Sequence, residues 1–149
     1  MLESYWYGSY EPYGHIYTSS FDHRNLYGYY YQFIKDIPLN NGHYQDAQAI
    51  ASDPNLRVWG QKDLVNQRAN LWIANIQHTW QTVMSGVAMP EVTGTVTVAG
   101  LTPNMSYSVQ RWNTYTGATV TQTLSADTAG NLIIAVQGLV DDVAIKIGN

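Results

Sequence analysis

The chain has 149 residues, enough for one domain or one domain with an appendage, and only 12% of them are charged, about half of the usual ~25%. Its net charge is -4 with no basic run, which excludes a nucleic-acid footprint. No apolar run reaches the roughly 18 residues of a membrane span, and the lack of cysteine excludes disulfides, thiolate catalysis and Cys-based zinc sites.

Thr, Ser, Asn, Gln and Tyr replace the missing charge, as in extracellular β-rich proteins, so an extracellular or periplasmic setting is expected. The start, "MLESYWYGSY", has no basic segment followed by an apolar one, so no signal peptide is expected. Nine of the twelve tyrosines fall within residues 1–31, which divides the chain into two compositional halves.

In chain order, a short strand is expected near Glu3–Tyr7, followed by a loop broken by Gly8, Pro12 and Gly14. Leu26, Tyr29, Tyr30, Phe33, Ile34 and Ile37 recur at helical spacing and predict one apolar face. Asp22 or Asn25 would cap that helix and Pro38 would stop it. Residues 1–38 therefore read as an aromatic-rich strand–loop–helix segment. Residues 39–55 read as a polar linker with a helical turn at Gln45–Ala51.

From Leu56 the period becomes two. "LRVWG", "RANLWIANI", "TGTVTVAGL", "SYSVQRW", "GATVTQTLS", "GNLIIAVQG" and "DVAIKIG" are separated by Gly, Asn and Pro, and "NTYTG" has the composition of a hairpin loop. The spacing predicts a mainly β fold: an antiparallel β-sandwich of about seven or eight strands over residues 56–149, carrying the N-terminal appendage. Ala69, Leu71 and Ile73 would face inward, and Trp72 outward against the N-terminal piece. Trp80 would be exposed, and Trp59 and Trp112 would lie in core or edge positions. Asp141–Asp142 reads as a turn before the last strand.

The stretch "LRVWGQKDLVNQRANLWIANIQHTWQTV" and the tail "YSVQRWNTYTGATVTQTLSADTAGNLIIAVQGLVDDVAIKI" resemble the C-terminal part of a bacterial (β/α)8-barrel glycoside hydrolase, where the barrel passes into a C-terminal β-sandwich. "SYWYGSYEPYGHIYTSSFDHRNLYGYYYQFIKDIPL" is similar to the last barrel strand and helix of those enzymes. The resemblance implies a carbohydrate setting and, in that family, a tryptophan under the sugar at the strand end. A whole barrel needs about 250 residues. The earlier strands that carry the catalytic carboxylates have no counterpart here, so the resemblance implies a C-terminal piece or a small protein derived from one.

Glycoside hydrolysis needs two carboxyl groups, about 5–5.5 Å apart for retention and about 6.5–9.5 Å for inversion. Glu3 and Glu11 flank the aromatic N-terminal run and are the weak catalytic candidates. Sugar rings pack their C–H faces on aromatic rings while polar side chains take the hydroxyls. Trp6, Tyr7, Tyr10 and Tyr13 beside Glu3, Glu11 and His15 form that mixture and are the carbohydrate-binding candidates. His15, Asp22 and His23 share one loop, but no metal-binding spacing is present, so no metal site and no cofactor are expected. Serine elbows and phosphate-binding glycine loops are also missing.

The expectation is a carbohydrate-related module, derived from or part of a glycoside hydrolase, that binds a glycan or supports a catalytic barrel. It would lack complete catalytic machinery of its own. Its partners would be a polysaccharide or oligosaccharide, with a catalytic barrel domain or a second copy as further partners, and neither nucleic acid nor membrane. Two other readings stay open. One is a small glycoside hydrolase using Glu3 or Glu11 in an aromatic cleft. The other is a Tyr-rich self-assembling structural protein.

Overall fold

The computed structural model describes residues 24–148. The expected strand near Glu3–Tyr7, the loop after it and Asp22 lie outside the described residues.

Helix α1 runs Arg24–Ile34. Asn25 lies inside it and does not cap it. Its last turn closes through Ile37 N–H donating to the Ile34 carbonyl at 2.9 Å, just before Pro38. Phe33 is its buried residue, while Tyr30 and Tyr31 are exposed. The apolar face is thus narrower than the periodicity implies.

Residues 39–55 hold strands where a helical turn was expected. Two-residue strands β1 (Gln45–Asp46) and β2 (Ile50–Ala51) sit at the sheet edges. β1 pairs with β3 (Leu56–Asp63), and β2 pairs with β5 (Val92–Val98). Gln48 between them has a positive φ of 51° and donates its backbone N–H to Asp46 Oδ1 at 2.7 Å. Side-chain capping by an aspartate competes with a helical turn and ends β1 here.

The remaining strands are β4 (Arg68–Asn75), β6 (Ser106–Trp112), β7 (Thr119–Ser125), β8 (Leu132–Leu139) and β9 (Asp142–Gly148). A five-residue helix, α2 (Trp80–Met84), lies between β4 and β5, capped by Thr79 and Thr82 exchanging side-chain and backbone bonds. All pairings are antiparallel. They give a six-stranded sheet, β1-β3-β4-β9-β6-β7, facing a three-stranded sheet, β2-β5-β8. The fold is the expected antiparallel sandwich with an N-terminal helix.

Period two explains the core. Ala69, Leu71 and Ile73 of β4 point inward, as expected, with Val143, Ile145 and Ile147 of β9 and Tyr107 and Val109 of β6. They meet Val96 and Val98 of β5 and Leu132, Ile134 and Val136 of β8. Burying one such side chain stabilises the fold by about 1.5–3 kcal/mol.

Three polar side chains fasten the ends of this core. Asn75 is 2% exposed; its Nδ2 lies 2.9, 3.2 and 3.0 Å from the carbonyls of Pro90, Leu139 and Val140. Its Oδ1 accepts from Gln77 N–H at 3.0 Å. One amide thereby joins the end of β4 to the entry of β5 and the β8–β9 turn. Tyr107 donates its hydroxyl to Gln67 Oε1 at 2.6 Å and accepts from Thr102 N–H at 3.0 Å. Asp63, in the β3–β4 hairpin, accepts from Asn66 N–H, Asn66 Nδ2 and Asn41 Nδ2 at 3.0, 2.7 and 2.8 Å. The last of these bonds ties the chain after α1 to the large sheet.

Replacing buried Asn75 by Ala removes its bonds to three carbonyls and to the Gln77 N–H and is expected to cost on the order of 3 kcal/mol. Tyr107→Phe loses one hydroxyl and costs about 1 kcal/mol. Urea denaturation gives both values, and equal losses would contradict the assignment.

Asp63 adds a pH dependence. Burial pushes its carboxyl up, but the Asn66 and Asn41 hydrogen bonds and nearby His43 outweigh burial and hold it at about 2, below the ordinary 3.8. A depressed carboxylate stabilises the fold fully above its unfolded pKa, and that contribution is lost as pH falls from about 4 toward 2. The urea midpoint of Asp63→Asn is therefore expected below that of the parent at pH 7, with the gap closing as pH drops through this window. A gap independent of pH would contradict the role given to Asp63.

Candidate functional site: an aromatic groove under helix α1

The outer face of the large sheet is built in cross-strand rows. Register places Trp59 of β3 opposite Trp72 of β4, Trp72 opposite Ala144 of β9, and Ala144 opposite Trp112 of β6. Thr119 of β7 ends the row. Side chains directly opposite on one face lie about 4.5–5.5 Å apart, so the small Ala144 leaves a dip between two indoles. The next row is polar: Gln61, Asn70, Lys146, Gln110 and Thr121.

Helix α1 lies over these rows. Phe33 meets Trp112 edge-on, with centroids 5.8 Å apart and planes at 81°, a favourable quadrupolar arrangement. Lys146 Nζ sits 5.2 Å from the Phe33 centroid and 5.3 Å from the Trp112 centroid. Burial lowers the pKa of Lys146, with Asp36 opposing that shift and Lys35 adding to it. Tyr29 presses on the β6–β7 hairpin loop at Gly117. A Cβ there would lie 2.4 Å from the Tyr29 ring, and φ is +69°, so only glycine fits both the turn and the helix. Asn113 shapes the loop, its Oδ1 accepting from Tyr115 and Thr116 N–H at 3.0 and 2.9 Å.

Between helix and sheet lies a groove of about 210 Å³. Tyr29, Tyr30, Trp72, Trp112 and Tyr115 form its walls, and Asn113, Thr114 and Asp142 supply its polar rim. Thr114 Oγ1 donates to Asp142 Oδ1. Burial raises the pKa of Tyr115, and Asp142 and Asp141 raise it further, so its phenol stays a donor at neutral pH. The indole N–H of Trp112 is buried without a hydrogen-bond partner among the described residues, although a buried indole N–H ordinarily finds an acceptor.

The candidates Glu3, Glu11, Trp6, Tyr7, Tyr10, Tyr13, His15 and His23 lie outside the described residues. Trp72 stands where its alternation put it, in the layer between sheet and helix. Trp80 is 73% exposed and away from the groove. Trp59 is half exposed, with Arg57 over its ring at 5.8 Å. His78 pairs with Asp141 at 3.2 Å. Among the described residues, no three His, Asp or Glu side chains gather to hold a metal. Asp142 is the one carboxylate among the described residues lining the groove.

Trp112, Tyr115 and Asp142 were not singled out from the sequence as ligand contacts. The signal was the loop "NTYTG" directly after Trp112, which aims Tyr115 back over the same face. No protein-family model matches the chain, and no curated protein matches it.

Removing the Phe33 ring is expected to free α1, since a buried Phe→Ala change costs about 3–5 kcal/mol. In Phe33→Ala, trypsin cleaves at Lys35 faster than in the parent, and acrylamide quenches tryptophan fluorescence more strongly. Unchanged rates in both assays would contradict the docking of α1 through Phe33.

Proposed function

We propose that the chain is a carbohydrate-related module that binds a glycan in the groove between α1 and the large sheet. The supporting observation is the pairing of flat aromatic walls with the Tyr115, Thr114 and Asp142 rim. A sugar ring offers apolar C–H faces to such walls and hydroxyl oxygens to such donors. At about 210 Å³ the groove is smaller than the ~300–1,000 Å³ of drug-sized sites, so it suits one ring. A longer chain would continue along the row toward exposed Trp59.

Binding is favoured over cleavage by the carboxylates. Acid/base chemistry on a glycosidic bond needs two, and the described part of the groove supplies Asp142 alone. In this reading the module derives from, or belongs to, a glycoside hydrolase of the barrel type and works at the cell exterior.

Electrophoresis through gels containing soluble polysaccharides tests it. At least one β- or α-glucan, xylan or mannan is expected to retard the chain. Tyr115→Ala should weaken binding about tenfold, the loss of one anchoring aromatic contact. Trp80→Ala, outside the groove, should migrate as the parent does. No retardation by any of these glycans, or binding indifferent to Tyr115→Ala, would reject the site. Release of reducing sugar that disappears in Glu3→Gln or Glu11→Gln would instead support the hydrolase reading.

A further inference from the structure

Sheet edges are aggregation-prone unless they are blunted. Among the described residues, two of the four edges are very short and a third is interrupted. The large sheet ends at one side in β1, two residues long and carrying Asp46. The small sheet ends at one side in β2, also two residues long. At its other side, Arg111 Nη1 reaches across to the Ala135 carbonyl of β8 at 3.4 Å, and the β5–β8 register breaks between Val92 and Gly94.

The fourth edge is β7, and among the described residues it is open. Its sequence, TVTQTLS, has seven residues with no charge, proline or glycine. Six of the seven are exposed, and Val120, on the inner face, is 68% exposed.

We propose that β7 pairs antiparallel with β7 of a second copy of this chain, on a two-fold axis through Gln122. The strand is self-complementary about that residue. Thr119 then faces Ser125, Thr121 faces Thr123, and Gln122 faces its own copy. Val120 faces Leu124, so two inward apolar side chains cover one another. Every pair shares a face, because the paired positions have the same parity. No like charges meet, and hydroxyl pairs of this kind stabilise adjacent strands. An isologous contact of this type closes at two copies. It joins two large sheets into one of twelve strands and carries both aromatic outer faces to the same side. The pairing stands on the edge alone and is independent of glycan binding.

Sedimentation equilibrium of the full chain over a wide concentration range tests it. The parent is expected to shift reversibly from monomer to twofold mass. Gln122 is exposed, so Gln122→Lys and Gln122→Glu should fold as the parent does, checked by far-UV circular dichroism. Each alone should remain monomeric, because like charges meet on the axis. Their equimolar mixture should recover twofold mass through Lys–Glu pairing. A parent that stays monomeric throughout, a dimer indifferent to Gln122→Lys, or a mixture that does not associate would each overturn the proposal.

Discussion

Three strands cannot cover six. The small sheet buries the inner faces of β3, β4, β9 and β6 and leaves much of β7 bare, so Val120 is exposed although its parity is inward. The large sheet also presents a broad outer face that, among the described residues, no second sheet covers. One central row is three indoles and an alanine, poorly suited to bulk water as a continuous surface, and the row beside it is polar. Helix α1 covers part of that face, and the groove is what remains where the cylinder of the helix meets the flat of the sheet. Groove and open edge thus have one origin in the unequal strand numbers.

The inequality is tolerable because the sandwich is closed at its ends by directional polar contacts. Asn75, Tyr107 and Asp63 each join segments distant in sequence: Asn75 reaches Val140, Tyr107 reaches Gln67, and Asp63 reaches Asn41. Apolar burial alone would allow the sheets to slide. A buried amide or carboxylate with its partners fixed does not, since displacement strands those partners away from water. The Asp63 contact matters most for the groove, because it anchors the segment that follows α1.

The sandwich was legible in the sequence for a simple reason. Alternation of Ala69, Leu71 and Ile73, or of Val143, Ile145 and Ile147, is a backbone-scale property, and it survives without knowledge of partners. The helix around Phe33 was legible on the same ground. The strands at Gln45–Asp46 and Ile50–Ala51 were not, because a two-residue strand carries no period and exists only through its pairing. The groove was half legible. Trp72 announced its outward side by parity, but the Trp59–Trp72–Ala144–Trp112 row depends on the order β3-β4-β9-β6, and a chain read in sequence does not show that β9 inserts between β4 and β6. The aromatic candidates Trp6, Tyr7, Tyr10 and Tyr13 drew attention by density instead, and they lie outside the described residues.

The position of β9 also decides what the groove can do. Strand insertion puts Asp142 at the start of β9, beside Thr114 and Tyr115 of the β6–β7 loop, and Lys146 two pleat repeats further along, between Phe33 and Trp112. The carboxylate is thereby spent on orienting a hydroxyl at the rim, and the ammonium on holding two rings. Neither faces a second group of its own kind across the groove in the described part of the chain. Under the glycan-binding proposal, such a geometry would hold a neutral, hydroxyl-rich ring through fixed donors and acceptors. Among the described residues the groove has no pair of carboxyls whose pKa values are pushed apart, which is the condition for one to donate a proton while the other stays charged.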